Sequence, residues 1–174
     1  MGSLATEAAR TAAVPCPKGR YSPGPGAKEC LECAVGTFAA KEGTVTCDAA
    51  EKGYHVPAPG AVEELKCEAG TYTNTEGQSS CLDAQAGYYV ASDGASEQKE
   101  CPKGETSDPA ADACRTCPDG SFASAAGSSS CKLAKAGHYV SDDDKTKEIP
   151  CDEGYYSPGS GASECIKCSP GTYT

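Results

Sequence analysis

A chain of 174 residues with two Phe, one Met, no Trp, 20 Gly and 12 Pro lacks the material for a large apolar core. Its net charge of −10 and pI near 4.6 exclude the clustered basic surface that nucleic acid or an anionic membrane needs, so no nucleic acid is expected as a partner. No stretch approaches 18 consecutive apolar residues, so no membrane insertion is expected from this segment.

Residues 1–15 form a lead segment, MGSLATEAARTAAVP, without the basic region and apolar run of a secretory signal. Met1-Gly2 with Thr6 formally fits an N-myristoylation pattern, which has little use on a disulfide protein. The thirteen cysteines that follow must supply what burial cannot, and disulfides imply an oxidising compartment. The expected location is therefore extracellular or cell-surface, with a signal peptide not present in this segment.

From Cys16 onward the cysteines stand at 16, 30, 33, 47, 67, 81, 101, 114, 117, 131, 151, 165 and 168, with gaps of 14, 3 and 20 and a single 13. Because 14 plus 3 is 17, and 20 is 3 plus 17, the chain divides every 17 residues. Ten tandem units result: 16–32, 33–49, 50–66, 67–83, 84–100, 101–116 with one residue deleted, 117–133, 134–150, 151–167 and a truncated 168–174. The fourth position is glycine in every unit, from Gly19 and Gly36 through to Gly154 and Gly171. The sixth is usually aromatic (Tyr21, Phe38, Tyr72, Tyr89, Phe122, Tyr139, Tyr156, Tyr173), and the eleventh is mostly glycine (Gly26, Gly43, Gly60, Gly77, Gly94, Gly127, Gly161). The unit reads CxxGxYxxxxGxxxCxx.

Three units begin with Ala50, Ala84 and Ala134, and fourteen residues on they carry Glu64, Gln98 and Glu148. Both cysteines vanish together, so pairing within a unit orphans none, whereas pairing between units would orphan Cys47 and Cys67. The expected bridges are Cys16 with Cys30, Cys33 with Cys47, Cys67 with Cys81, Cys101 with Cys114, Cys117 with Cys131, and Cys151 with Cys165. Cys168 is left unpaired in this segment. A crossed scheme, first to third and second to fourth, stays open where two cysteine units adjoin. Each bridge closes a loop of about 15 residues, worth about 3 kcal/mol in the chain-entropy treatment. Val56, Val90 and Val140 stand at position seven of the cystine-free units and read as apolar compensation for the lost bridge.

Short Thr/Ser- and aromatic-bearing segments followed by SPGPG at 22–26 or SPGSG at 157–161 read as a strand, a turn and a return. No window keeps a 3.6-residue period, so helix is not expected. The fold class is small and disulfide-rich, mostly β or irregular: an elongated tandem array of 17-residue hairpin-like repeats. The glycine at position four suits a positive φ or a close approach of chain beneath the aromatic ring. One aromatic per unit, stacked on the next unit's cystine, would form a thin continuous spine.

The CxxC pairs Cys30/Cys33, Cys114/Cys117 and Cys165/Cys168 match zinc or redox spacing. They fall at unit junctions, where each cysteine has another partner, and no βαβ context surrounds them, so no metal is expected there. Asp142, Asp143 and Asp144 offer clustered oxygens for a loose calcium site, yet lack a ligand ladder and read as a solvated loop tip. His55 and His138 stand beside no nucleophile motif, and no phosphate loop is present. No catalytic residue, cofactor or metal is expected. Asn74 is followed by Thr75 and Glu76, so no Asn-x-Ser/Thr acceptor exists. For a glycoprotein, O-linked sugar on Ser128–Ser130 or on the Thr/Ser at position seven is the remaining route.

CPKGRYSPGPGAKECLECAVGTF at 16–38 and CDEGYYSPGSGASECIKCSPGTY at 151–173 resemble the ephrin-receptor-like cysteine-rich repeats, akin to growth-factor-receptor and tumour-necrosis-factor-receptor cysteine-rich modules. The resemblance extends over nearly all of 16–174 through the CxxGxY start and the CxxC junction. It implies a disulfide-laddered rod at or outside the cell surface, and the family has no catalytic residues to carry over. The three units without cysteines depart from its pattern. The function expected is that of a structural extracellular repeat protein, part of a filament, sheath or adhesive assembly. Its partners would be further copies of itself or other extracellular matrix or surface proteins. The alternative is a ligand-binding ectodomain or stalk of a cell-surface receptor.

Overall fold

Each unit opens with a tight turn that its fourth-position glycine makes feasible. The N–H of position five donates to the carbonyl of position two, as in Arg20 to Pro17 at 3.1 Å and Thr37 to Ala34 at 3.0 Å. The glycine then sits at the third turn residue, where a positive φ costs it nothing, and it runs from +71° at Gly120 to +87° at Gly70. The computed structural model describes residues 14–24 and 27–172. The myristoylation pattern, Gly26 and Tyr173 lie outside the described residues.

After the turn, positions five and six pair antiparallel with positions sixteen and seventeen of the same unit. Arg20–Tyr21 pairs with Leu31–Glu32, Thr37–Phe38 with Asp48–Ala49, and Tyr54–His55 with Leu65–Lys66. The register continues to Tyr155–Tyr156 with Ile166–Lys167. The described residues hold nine such two-stranded ladders and no helix. The fold is thus a tandem array of small disulfide-rich β-hairpins, and the hairpins do not merge into one sheet. Alone, a hairpin of this size is marginal in water, so its stability must come from its neighbours and its staple.

Neighbouring units are joined through backbone bonds that repeat along the chain. The position-one N–H donates to the position-four carbonyl of the unit before: Cys33 to Gly19 at 3.0 Å, Ala50 to Gly36 at 2.9 Å, Cys67 to Gly53 at 2.9 Å. The position-four N–H donates forward to the position-seven carbonyl, as in Gly36 to Val56 at 2.8 Å and Gly53 to Thr73 at 3.0 Å. The position-eleven N–H donates back to the position-one carbonyl, as in Gly60 to Cys33 and Gly77 to Ala50, both 2.8 Å. Bonds to and from position one keep their lengths whether it is Cys or Ala, but in unit 134–150 the Asp144 N–H at position eleven turns to the Ser141 carbonyl at 3.2 Å instead of reaching back to Cys117.

Units two apart also touch. A Cβ on Gly19 would overlap the carbonyl oxygen of Gly60, and the same holds for Gly36 against Gly77, Gly53 against Gly94 and Gly120 against Gly161. Position four therefore has the positive φ anticipated for it, and the close approach of chain comes from a carbonyl two units on rather than beneath the aromatic ring.

The buried column is made of small side chains. Cys33, Ala50, Cys67, Ala84 and Cys101 at position one are inaccessible to solvent, as are Ala39, Val56, Thr73 and Val140 at position seven. The continuous aromatic spine anticipated from the sequence is not what runs through the centre. Tyr21, Phe38, Tyr72 and Tyr89 are half-buried, and Tyr156 is 41% exposed. A ring is too large for a column in which two backbones approach to glycine contact. The rings lie instead on the hairpin arms opposite position sixteen, as Tyr21 opposite Leu31 and Tyr72 opposite Leu82, where cross-strand apolar pairs stabilise short ladders.

Two units break the position-eleven rule, and in 134–150 the residue there is Asp144. The deletion in 101–116 leaves Ala110 in that turn, at a φ of +58°. A Cβ in the left-handed region costs about 1–2 kcal/mol, partly offset by glycine's greater freedom when unfolded. Ala110→Gly is expected to raise stability by about 1 kcal/mol. A urea midpoint that stays or falls would contradict this, and an unchanged slope would show that only stability moved.

Candidate functional site

The staples give the array its chemistry. Bridges join Cys16 to Cys30, Cys33 to Cys47, Cys67 to Cys81, Cys101 to Cys114, Cys117 to Cys131 and Cys151 to Cys165, with Cα separations of 5.6–5.8 Å. All lie within a unit, and none is crossed. In each, the second cysteine is half-buried beside the hairpin. The two cysteines of the Cys30/Cys33 and Cys114/Cys117 pairs belong to different bridges, which removes the zinc and redox readings of those CxxC pairs. Cys168 is free and half-buried, its N–H donating to Gly154 at 2.8 Å. Six disulfides mark a protein of oxidising surroundings.

In the cystine-free units a polar staple replaces the covalent one. Glu64, at the second-cysteine position, accepts the Glu51 N–H at 2.7 Å. Gln98 accepts the Gln85 N–H at 2.8 Å, and Glu148 accepts the Lys135 N–H at 3.0 Å. Each bond spans thirteen residues and closes nearly the loop that the disulfide closes elsewhere. Sequence reading missed it, although the signal was present: all three substitutes are Glu or Gln, the acceptors long enough to reach. Val56, Val90 and Val140 are buried as expected, so apolar filling and a hydrogen bond act together.

The Glu148 carboxylate also meets Lys135 Nζ at 2.8 Å, and the side-chain hydrogen bond from Lys135 holds its pKa below the ordinary glutamate value. A lowered carboxylate contributes stability that is present above its unfolded pKa and lost as pH falls through the folded one. The Gln98 staple does not titrate. Between about pH 5 and pH 3, the Lys135 amide is expected to lose protection relative to the Gln85 amide, after correction for intrinsic exchange. Parallel behaviour in native-state hydrogen exchange would refute the assignment.

The Asp142–Asp144 turn carries its own cation. Lys145, 8% exposed, places Nζ 2.7 Å from Asp119 Oδ1 and 3.1 Å from Asp142 Oδ1. Asp144 accepts the Thr146 N–H at 3.0 Å and the Thr146 hydroxyl, and pairs with Lys147 at 3.6 Å. Hydrogen bonding to Lys145 lowers the Asp119 pKa, bonding to Thr146 lowers that of Asp144, and bonding to Asp119 raises that of Lys145. The turn is thus favoured while the carboxylates are ionised and the lysine protonated. It weakens as acid titrates the former, or as pH rises through the raised value of the latter. A lysine ammonium thus already pairs with Asp142 of this cluster, and with Asp119 beside it.

Of the position-seven hydroxyls, Ser22 is half-buried and Thr174 lies outside the described residues, while the other three are not open acceptors for sugar. Thr73, Ser107 and Ser157 are buried, and Ser107 and Ser157 donate to the Tyr88 and His138 carbonyls at 2.6 and 3.0 Å. Ser129 and Ser130 are exposed, while Ser128 donates to Ala125 at 2.6 Å.

The histidines differ in setting. His138 sits at position five with Nδ1 3.4 Å from the Ala136 carbonyl. His55 takes the aromatic's place at position six, and its Nδ1 lies 3.2 Å from Cys81 Sγ in the next unit. Tyr139 likewise lines a shallow groove with Cys165 of the unit after it. Among the described residues, His55, Cys67 and Cys81 form the one group whose potential ligand atoms lie within 4.8 Å of one another, with both sulfurs bonded to each other. No helix among the described residues is long and apolar enough to cross a membrane. Neither the protein-family models nor the curated protein sequences compared with this chain match it.

Proposed function

We propose that this chain is a structural extracellular repeat protein, a subunit or segment of a filament, sheath or adhesive surface assembly, whose repeats are of the ephrin-receptor-like kind. One observation carries the reading. The inter-unit backbone bonds pass unchanged through the cystine-free units 50–66 and 84–100, and all three cystine-free units carry a Glu or Gln staple. A molecule maintained for one binding site has no evident need to preserve the geometry of units that have lost their bridge, whereas a structural array depends on continuity. Its partners on this reading are further copies of itself or neighbouring matrix and surface proteins.

Electron microscopy of the purified native material tests the reading. Ordered filaments with a periodicity that is a multiple of the unit advance support it. Dispersed single particles would overturn it in favour of a receptor ectodomain or stalk.

A further inference from the structure

Cys67–Cys81 is unlike the other bridges in two respects. Its unit lies between the cystine-free units 50–66 and 84–100, so no covalent staple holds either neighbour. It is also the bridge with an imidazole against its sulfur, His55 Nδ1 lying 3.2 Å from Cys81 Sγ. The other described histidine, His138, has its Nδ1 at a backbone carbonyl instead.

The two sulfurs are unequally accessible. Cys67 is fully buried, whereas Cys81 is half-buried and opens onto a surface groove lined by His55, Leu65, Lys66, Glu68 and Ser80. Thiol–disulfide exchange requires a thiolate to reach one sulfur while the other leaves, and its rate depends on thiolate formation and on the fate of the leaving group. The groove admits an attacker to Cys81, so Cys67 is the leaving sulfur. A neutral imidazole with its proton on Nε2 turns the Nδ1 lone pair towards this point.

We propose that Cys67–Cys81 is a thiol–disulfide exchange site for low-molecular-weight thiols, with His55 as the proton carrier. His55 Nδ1 takes the S–H proton of the incoming thiol, and the thiolate attacks Cys81 Sγ. A bond forms between the incoming sulfur and Cys81 Sγ, the bond from Cys81 Sγ to Cys67 Sγ breaks, and the electron pair leaves on Cys67. The imidazolium, within 4.8 Å of that sulfur, returns the proton. The products are a mixed disulfide at Cys81 and a free thiol at Cys67, with atoms, protons and electrons balanced and no separate oxidant. The array stays connected, because the backbone bonds from Cys67 to Gly53 and from Gly94 to Cys67 do not involve the sulfurs.

The test is competition within one molecule. The intact chain is exposed briefly to glutathione, quenched with an alkylating agent and mapped by mass spectrometry, so that the other five bridges serve as internal controls. Cys81 is expected to acquire glutathione, and Cys67 the alkyl group, on the order of tenfold faster than any other bridge opens, a modest return for general acid–base assistance. In His55→Phe, which restores the aromatic found in most units, that advantage should shrink to about twofold or less with the thermal midpoint unchanged. His55→Gln keeps a polar group and should lose the advantage as well. If Cys67–Cys81 reacts no faster than its counterparts, or either variant keeps the advantage, the proposal fails.

Discussion

Ala50→Cys combined with Glu64→Cys is expected to give a seventh bridge and a more stable array. Unit 50–66 has the same hairpin register as its stapled neighbours, with Tyr54 opposite Lys66. It also has the same flanking bonds, from Ala50 to Gly36 at 2.9 Å and from Cys67 to Gly53 at 2.9 Å. The two substituted positions thus occupy the frame in which the existing pairs hold Cα atoms 5.6–5.8 Å apart, within the range a disulfide requires. Closing the loop is worth about 3 kcal/mol, and losing the hydrogen bond from Glu51 to Glu64 costs about 1 kcal/mol. The net gain is about 2 kcal/mol, or roughly 4–8 °C in a chain of this size. Because repeat arrays can open locally, hydrogen exchange at Tyr54 and Cys67 should be followed beside the thermal scan. A variant that forms the bridge yet shows no added protection would mean that Glu64 and Val56 already hold this unit as tightly as a cystine does.

That comparison also shows what could be read in the sequence. The within-unit pairing followed from cysteines missing two at a time, with a crossed scheme left open where two cysteine units adjoin, and the structure joins the within-unit pairs. Glycine at position four was legible because few side chains tolerate both a positive φ and a backbone beneath them. The spine was not legible. A tyrosine that recurs every 17 residues looks like core, and only the approach of chain from two units away shows that the centre has room for Ala, Ser, Thr, Val and a sulfur. The polar staples were hidden for another reason. The sequence shows that Glu64, Gln98 and Glu148 replace cysteine, but their partners are backbone N–H groups, which every residue except proline carries and no sequence distinguishes. His55 beside Cys81 depends on contact between successive units, which the repeat alone does not specify.

Gly53→Ala should be among the most damaging single substitutions of a side chain that touches no cystine. Gly53 has a φ of +84°, and a Cβ there would overlap the carbonyl of Gly94 and lie 3.3 Å from the carbonyl carbon of Ala95. The left-handed backbone costs an alanine about 1–2 kcal/mol. Separating two packed backbones adds about 1–3 kcal/mol, as overpacking does elsewhere, because a main chain bonded on both sides cannot rotate away as a side chain does. Separation also threatens the bonds from Gly53 to the Thr73 carbonyl at 3.0 Å and hydroxyl at 2.7 Å. The total is about 3 kcal/mol. Gly77→Ala separates the two causes, since Gly77 also has a positive φ, +74°, but a Cβ there would meet nothing nearer than the Ala49 Cβ at 3.9 Å. It should cost only the conformational part, about 1 kcal/mol. Denaturant midpoints for the two variants, with hydrogen exchange mapping the Gly53→Ala damage to units 50–66, 67–83 and 84–100, check the prediction. Equal losses at the two sites would mean that contact between units two apart contributes nothing, and that the array is held by nearest neighbours alone.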